Sequence, residues 1–233
     1  MSAVAMLAGV VLADSSCSTV ASNDLRTSGM IARIFVTATA SGVSVGADLS
    51  AGGTTSVELR PGDSLVARSG GQELTLRETS ILGLHSYSGA LPATSAPGTV
   101  VQVDLLRASG SPASSTVALP GPVGLRAPRD GATVSRSQDL RVRVTPGKGE
   151  IRVDWNGSCV GSGEVLFEEG RPVVVPARSI QQQAPTPQGP AVPDRCDVTL
   201  TVSRVLSGRL ASSYKSGFIE GVRSQAIVVH SVP

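Results

Sequence analysis

The 233-residue chain is poor in rings and in lysine: it holds one Trp, two Tyr, three Phe, two His and two Lys. So few aromatics exclude an extended stacking platform for sugars or bases. A net charge of +2, with the arginines dispersed, leaves no basic face of the kind that neutralises phosphates. Nucleic acid is therefore not an expected partner. No Lys/Arg cluster suggests a polybasic membrane patch either. With only His85, His230 and three cysteines, a zinc site would need carboxylates to complete it, and no metal is assigned. The chain lacks a D-x-[DN]-x-[DN]-G run, a phosphate-cradling glycine loop, a Cys-x-x-Cys pair and heptads, so no cofactor is expected. Beyond the N-terminus no segment approaches 18 consecutive apolar residues, so no membrane-spanning helix is expected.

What is present favours strands and turns. There are 26 Gly and 15 Pro, with 40% hydrophobic and 16% charged residues, a balance suited to turn-rich β-structure. Short stretches alternate apolar and polar residues with period two, which places one set on one face of a strand. Met30–Ala38 is rich in Ile, Phe, Val and Thr. After a turn at Ala40-Ser41-Gly42, Val43, Val45, Ala47 and Leu49 alternate with polar or small residues. Val57 and Leu59, Ser64–Arg68, Leu74 and Leu76, then Val101, Val103 and Leu105 continue the series, separated by Arg60-Pro61-Gly62-Asp63 and Ser69-Gly70-Gly71-Gln72. A second series runs through Leu140–Val144, Ile151–Trp155, Val173–Val175, Val198–Val202 and Ala226–His230. Asn156-Gly157 reads as a two-residue hairpin turn.

The expected fold is all-β, with two β-sandwich domains, the second immunoglobulin-like in architecture. The expected divisions are a leader at 1–17, a polar tether at 18–29, a first domain at 30–108, a linker at 109–122 with an edge strand near Thr116–Leu119, and a second domain at 123–233. Trp155 precedes both Cys159 and Cys196 instead of lying between them, so the likeness to immunoglobulin domains is of architecture only. Residues 80–98 and the Pro- and Gln-rich stretch 177–195 read as loops, the expected contact surfaces.

Residues Ala3–Ala13 are almost all apolar, too short to span a bilayer but matched to the apolar region of a signal peptide. The usual preceding Lys or Arg is missing. Small residues Ser15 and Ser16 lead to Cys17, as in a lipoprotein signal whose cysteine is acylated, although Asp14 departs from the apolar residue usual there. Three readings stay open: lipidation at Cys17, simple secretion with cleavage near Ala13, or a buried segment of a cytosolic protein. Export leaves Cys159 and Cys196 to pair and Cys17 as the odd cysteine. Such a bridge closes a loop of about 38 residues and stabilises by about 4 kcal/mol on a chain-entropy model. The alternative is two free thiols in a reducing compartment.

Two segments fit the nucleophile-elbow pattern: Gly42-Val43-Ser44-Val45-Gly46, and Gly157-Ser158-Cys159-Val160-Gly161 with cysteine as nucleophile. Neither precedes a helical pattern, so neither Ser44 nor Cys159 is expected to be catalytic. His85 and His230 are the only candidate neutral-pH bases, and ordinary hydrogen-bonded roles are expected of both. Glu168-Glu169-Gly170 and Asp63 read as turn residues, Asn156-Gly157-Ser158 as an idle glycosylation sequon, and Trp155 as a core residue.

The run Ser22-Asn23-Asp24-Leu25-Arg26-Thr27-Ser28-Gly29-Met30 after a cysteine, then Val57-Glu58-Leu59 and Gly62-Asp63-Ser64-Leu65, resembles uncharacterised predicted lipoproteins of Gram-negative bacteria. The ending Gly221-Val222-Arg223-Ser224-Gln225-Ala226 is loosely similar. The resemblance implies export and a β-sandwich-like body, and it carries no site residues with it. The expected function is that of a cell-envelope lipoprotein, in the periplasm or at the cell surface. It would be anchored to the membrane by lipid and act without catalysis as a structural or binding module on a protein or glycan partner. Two alternatives are an envelope hydrolase with a Ser/His or Cys/His site, and a carbohydrate- or calcium-binding accessory module. A Ser or Cys within hydrogen-bonding reach of either histidine, backed by a carboxylate, would favour the first. An exposed Trp155 or Tyr87, or three convergent carboxylates, would favour the second.

Overall fold

The computed structural model describes residues 18–52, 55–184 and 191–233, so the expected leader and the expected lipidation site Cys17 lie outside the described residues. The structure is all-β, and the described residues include no α-helix. Strands β1 (Thr19–Ala21), β2 (Ile31–Thr39), β3 (Gly42–Ser50), β4 (Ser56–Glu58), β5 (Ser64–Ser69), β6 (Gln72–Thr75), β7 (Arg77–Ile81), β8 (Leu84–Leu91), β9 (Val100–Leu106) and β10 (Ala113–Ala118) build the first lobe. The second lobe holds β11 (Thr133–Ser135), β12 (Leu140–Val142), β13 (Glu150–Gly157), β14 (Val160–Phe167) and β15 (Val173–Val175). Two long strands, β16 (Cys196–Ser207) and β17 (Ser216–Val232), serve both lobes.

The expected alternation decides which faces are buried. Ala32, Ile34 and Val36 of β2, the Val43/Val45/Ala47/Leu49 set of β3 and Val101, Val103 and Leu105 of β9 point into a first apolar core. That core lies between the sheet holding β3, β2 and β17 and a four-stranded sheet ordered β10-β9-β5-β6. Ile151, Val153 and Trp155 of β13 and Val198, Leu200 and Val202 of β16 point into a second core, closed by the β12–β15 pair.

One sheet ordered β1-β4-β3-β2-β17-β16-β13-β14 joins the two. It is mixed: β17 runs antiparallel to β16 but parallel to β2, from Ser216 opposite Ile31 to Val222 opposite Thr37. Tyr214 and Ile219 consequently belong to the first core, although they fall in the expected second domain at 123–233. Along the same face of β17 the sequence runs Ile219 (first core), Gly221, Arg223, Gln225, then Ile227 and Val229 (second core). Gly221 is there because a Cβ would sit 2.4 Å from the Ala118 carbonyl where β10 crosses.

Several local expectations need correction. Residues 18–29 are not a free tether: β1 pairs in parallel with β4, Ser22 is fully buried, and Leu25 packs on the first core. Residues 80–91 belong to the β7–β8 hairpin, hidden from pattern reading because His85 and Gly89 interrupt the inward set of β8 that Tyr87 and Leu91 complete. Within the expected linker, β10 pairs along its whole length with β9. The Asn156-Gly157 pair stays in β13, held opposite Thr199 and Val198 of β16, and the turn falls on Ser158 and Cys159.

Candidate functional site

A largely apolar cleft of about 540 Å³ opens in the first lobe. Its floor comes from the β2–β3 pair, where Arg33 lies opposite Asp48, and its wall from Ser56 of β4 and from Ile81, Leu84, His85 and Ser86 of the β7–β8 hairpin. The His85 ring nitrogen Nδ1 contacts Glu78 Oε1 at 2.5 Å across that hairpin. The Ser56 hydroxyl accepts from the His85 backbone N–H at 2.9 Å and donates to its carbonyl at 3.4 Å. Ser56 is thus committed to the His85 main chain, not to the ring. At its open end the cleft runs into the hairpin tip, where Ile81, Leu82 and Leu84 are exposed.

His230 makes the same kind of contact in the second lobe, with Nδ1 2.7 Å from Asp197 Oδ1. Both histidines therefore have a carboxylate partner, and neither ring has a hydroxyl or thiol hydrogen-bonded to it among the described residues. Ser44 lies within β3, opposite Thr37 and Ala90, with strand on either side. Cys159 is bonded to Cys196, with Sγ–Sγ 2.09 Å and Cα–Cα 5.7 Å, as expected from cysteine arithmetic. An oxidised Cys159 is no nucleophile. The bridge ties the β13–β14 turn to the start of β16, so it lies at the end of one sheet. An immunoglobulin bridge crosses between two sheets. Arg136 packs beside it, donating to Ser231 Oγ at 3.0 Å and to the Asp194 carbonyl at 3.0 Å.

Trp155 and Tyr87 are internal. Trp155 is 5% exposed, its indole lying against Gly163, where a Cβ would be 2.3 Å from the ring. Tyr87 is 2% exposed; its hydroxyl donates to the Val57 carbonyl at 2.9 Å and accepts from the Leu59 N–H at 2.8 Å. Burial pushes its pKa up to about 12. Neither ring offers a flat sugar-binding face. Beside Trp155, Asp154 and Glu164 face each other across β13 and β14 over a shallow groove with Thr199 and Thr201. Loss of solvent, then the Glu164 carboxylate, raises the Asp154 pKa. Among the described residues no three His, Cys, Asp or Glu side chains converge as a metal would require. The carbohydrate- or calcium-binding reading thus finds neither of its markers there. Sequence reading missed the exposed tip at 81–84. Its signal is an X-Gly pair, Leu82-Gly83, flanked by apolar residues between two alternating segments.

No family model matches the chain. No curated protein matches it either. Solved structures that align over most of its length include a titin fragment, A168169, at 13% identity and a TM-score of 0.24, covering 86% of this chain and 96% of that one. The Ig1-2 module of the Drosophila receptor protein tyrosine phosphatase DLAR aligns at 11% identity and a TM-score of 0.29, covering 87% and 98%. DIP-gamma IG1+IG2 aligns at 9% identity and a TM-score of 0.24, covering 88% and 97%. Likeness at scores this low has no bearing on what the chain binds or does.

Proposed function

We infer that the chain is an exported cell-envelope lipoprotein that acts by contact, as a structural or binding module, and is held to a membrane through Cys17. The observation that carries the reading is the Cys159–Cys196 bridge. Disulfides of this structural kind persist in oxidising compartments and are rare in the cytosol. The apolar Ala3–Ala13 stretch ahead of a cysteine and the resemblance to predicted Gram-negative lipoproteins support the same address. Absence of catalysis belongs to this proposal. Its support is that Ser56 is bonded to backbone and Cys159 is oxidised. The hydrolase alternative draws on the His85–Glu78 pair at the cleft. Under it, Ser56→Ala and His85→Ala would each abolish cleavage of simple ester substrates.

Metabolic labelling with palmitate tests the anchoring. Wild-type protein is expected to carry label and sediment with membranes, and Cys17→Ser to carry none and appear in the soluble envelope fraction. Label-free wild type in the cytosol would overturn the reading.

A further inference from the structure

The β7–β8 hairpin closes through Ile81-Leu82-Gly83-Leu84, with Ile81 67%, Leu82 91% and Leu84 50% exposed. Both central residues adopt left-handed backbone, Leu82 at φ +51° and Gly83 at φ +78°. Asn, Asp or Gly take the first of these positions easily; leucine does so under strain. The folded chain thus holds a large apolar side chain in a strained conformation in full contact with water. Nothing within the described chain repays that local conflict, and such conflicts mark functional positions.

The tip is fastened to the start of the described chain. Thr19 Oγ1 donates to the Gly83 carbonyl at 2.9 Å, and the Ser18 hydroxyl lies 2.6 Å from that of Thr55. Cys17 precedes Thr19 by two residues, and two residues of chain span at most about 7 Å. Whatever holds Cys17 therefore holds the tip close to it. Under the anchoring reading, on which this inference rests, a diacylglyceryl group at that cysteine brings a bilayer surface to the hairpin.

We propose that the 81–84 tip is a membrane-contact element: Ile81, Leu82 and Leu84 enter the headgroup–acyl boundary beside the anchor. A lipid on one residue leaves a protein free to swivel. A second apolar contact a short distance away removes that freedom and sets the tilt of the first lobe. The occupant is a lipid surface, because the exposed apolar residues sit where the chain leads to Cys17.

Leu82→Trp tests this, since Leu82 is exposed and the native Trp155 is buried in the other lobe as a constant background. The acylated protein is reconstituted in phosphatidylethanolamine/phosphatidylglycerol vesicles with and without brominated acyl chains. A Tm equal to the parent's confirms the fold. Emission from position 82 is expected to shift to the blue and to be quenched by bromine. Emission from Leu166→Trp, on β14, is expected to do neither. Water-like, unquenched emission from position 82 on vesicle-bound protein would overturn the proposal. Should mass analysis find no acyl group on Cys17, the anchoring reading fails on its own. The same protein is then coupled to a maleimide lipid through Cys17, since Cys159 and Cys196 are bonded to each other. Quenching at position 82 then supports the tip's role, and its absence overturns it.

Discussion

Arg204 stands directly opposite Arg223 in the β16–β17 ladder, two like charges on one face of the sheet at the boundary between the two cores. Like charges so placed repel. The arrangement holds because both guanidinium groups serve as clamps on loop carbonyls. Arg204, 1% exposed, donates to the Thr145 carbonyl at 2.5 Å. Arg223 donates to the Pro120 carbonyl at 3.0 Å and to that of Ser95. Next along β17, Gln225 Oε1 accepts from the Leu125 N–H at 2.9 Å. A polar seam thereby pins segment 118–127 across the waist of the molecule, where an apolar contact would have merged the two cores.

The two arginines differ in worth. Arg223→Met removes two charge-assisted bonds to carbonyls and is expected to cost about 2 kcal/mol. Arg204 has lost solvent, which lowers its pKa, and its Nε has no partner among the described residues. Replacing a poorly compensated buried charge with an apolar side chain is often neutral. Arg204→Met is expected to lie within about 1 kcal/mol of wild type. Urea midpoints for the two variants check the order, and a larger loss for Arg204→Met would contradict it.

Arg107 holds the N-terminal segment in place. Its Nε lies 2.9 Å from the buried Asp63 carboxylate, and its Nη2 donates to the carbonyls of Ser22 at 2.6 Å and Leu25 at 3.1 Å. Arg107→Met leaves that carboxylate and those carbonyls short of a partner. The expected loss is about 3–5 kcal/mol, the range for breaking a buried ion pair on one side. Hydrogen exchange at residues 19–29 should accelerate ahead of the rest of the molecule.

Tyr87 and Tyr214 give opposite outcomes on losing a hydroxyl. Tyr87→Phe strands the Val57 carbonyl and Leu59 N–H and is expected to cost about 1–3 kcal/mol. The Tyr214 hydroxyl is buried with no partner among the described residues, so Tyr214→Phe is expected to be neutral or stabilising. Burial raises both phenol pKa values, that of Tyr87 to about 12. An unfolded phenol ionises near pH 10. Between these values the folded state binds more protons than the unfolded one, so stability is intact below about pH 10 and falls as pH rises toward 12. Tyr87→Phe should flatten that slope, as read from Tm against pH.

Removing the bridge tests its structural weight. Cys159→Ala/Cys196→Ala, which opens a loop with sequence separation 37, is expected to cost about 4 kcal/mol. Thermal unfolding with and without reductant reads the same quantity. Equal Tm values in both conditions would show that the bridge contributes nothing.

Period-two alternation made β3, β9, β13 and the start of β16 legible, because each buries one face and wets the other, and β-branched and aromatic content made β2 legible. Asp104 shows the limit of that reading. It sits on the outward face of β9 yet is 2% exposed, because Arg68 and Gln102 close over it. The β7–β8 hairpin was missed because His85 and Gly89 take two inward positions of β8, leaving Tyr87 and Leu91 as sparse inward markers. Parallel pairing of β17 with β2 was not legible at all. It joins residues nearly two hundred positions apart, and no local pattern encodes such a partner. The histidine–carboxylate contacts of His85 and His230 likewise arise from cross-strand register. The disulfide was legible, because the lipoprotein reading sets Cys17 aside and leaves Cys159 and Cys196 as the one pair.

Intact mass of the protein extracted from its native membrane fraction tests the central claim most directly. The account predicts a chain beginning at Cys17, heavier by a diacylglyceryl and an acyl group, and lighter by about 2 Da for the hydrogens lost in one disulfide. A full-length, unmodified and fully reduced chain recovered from the cytosol would contradict it.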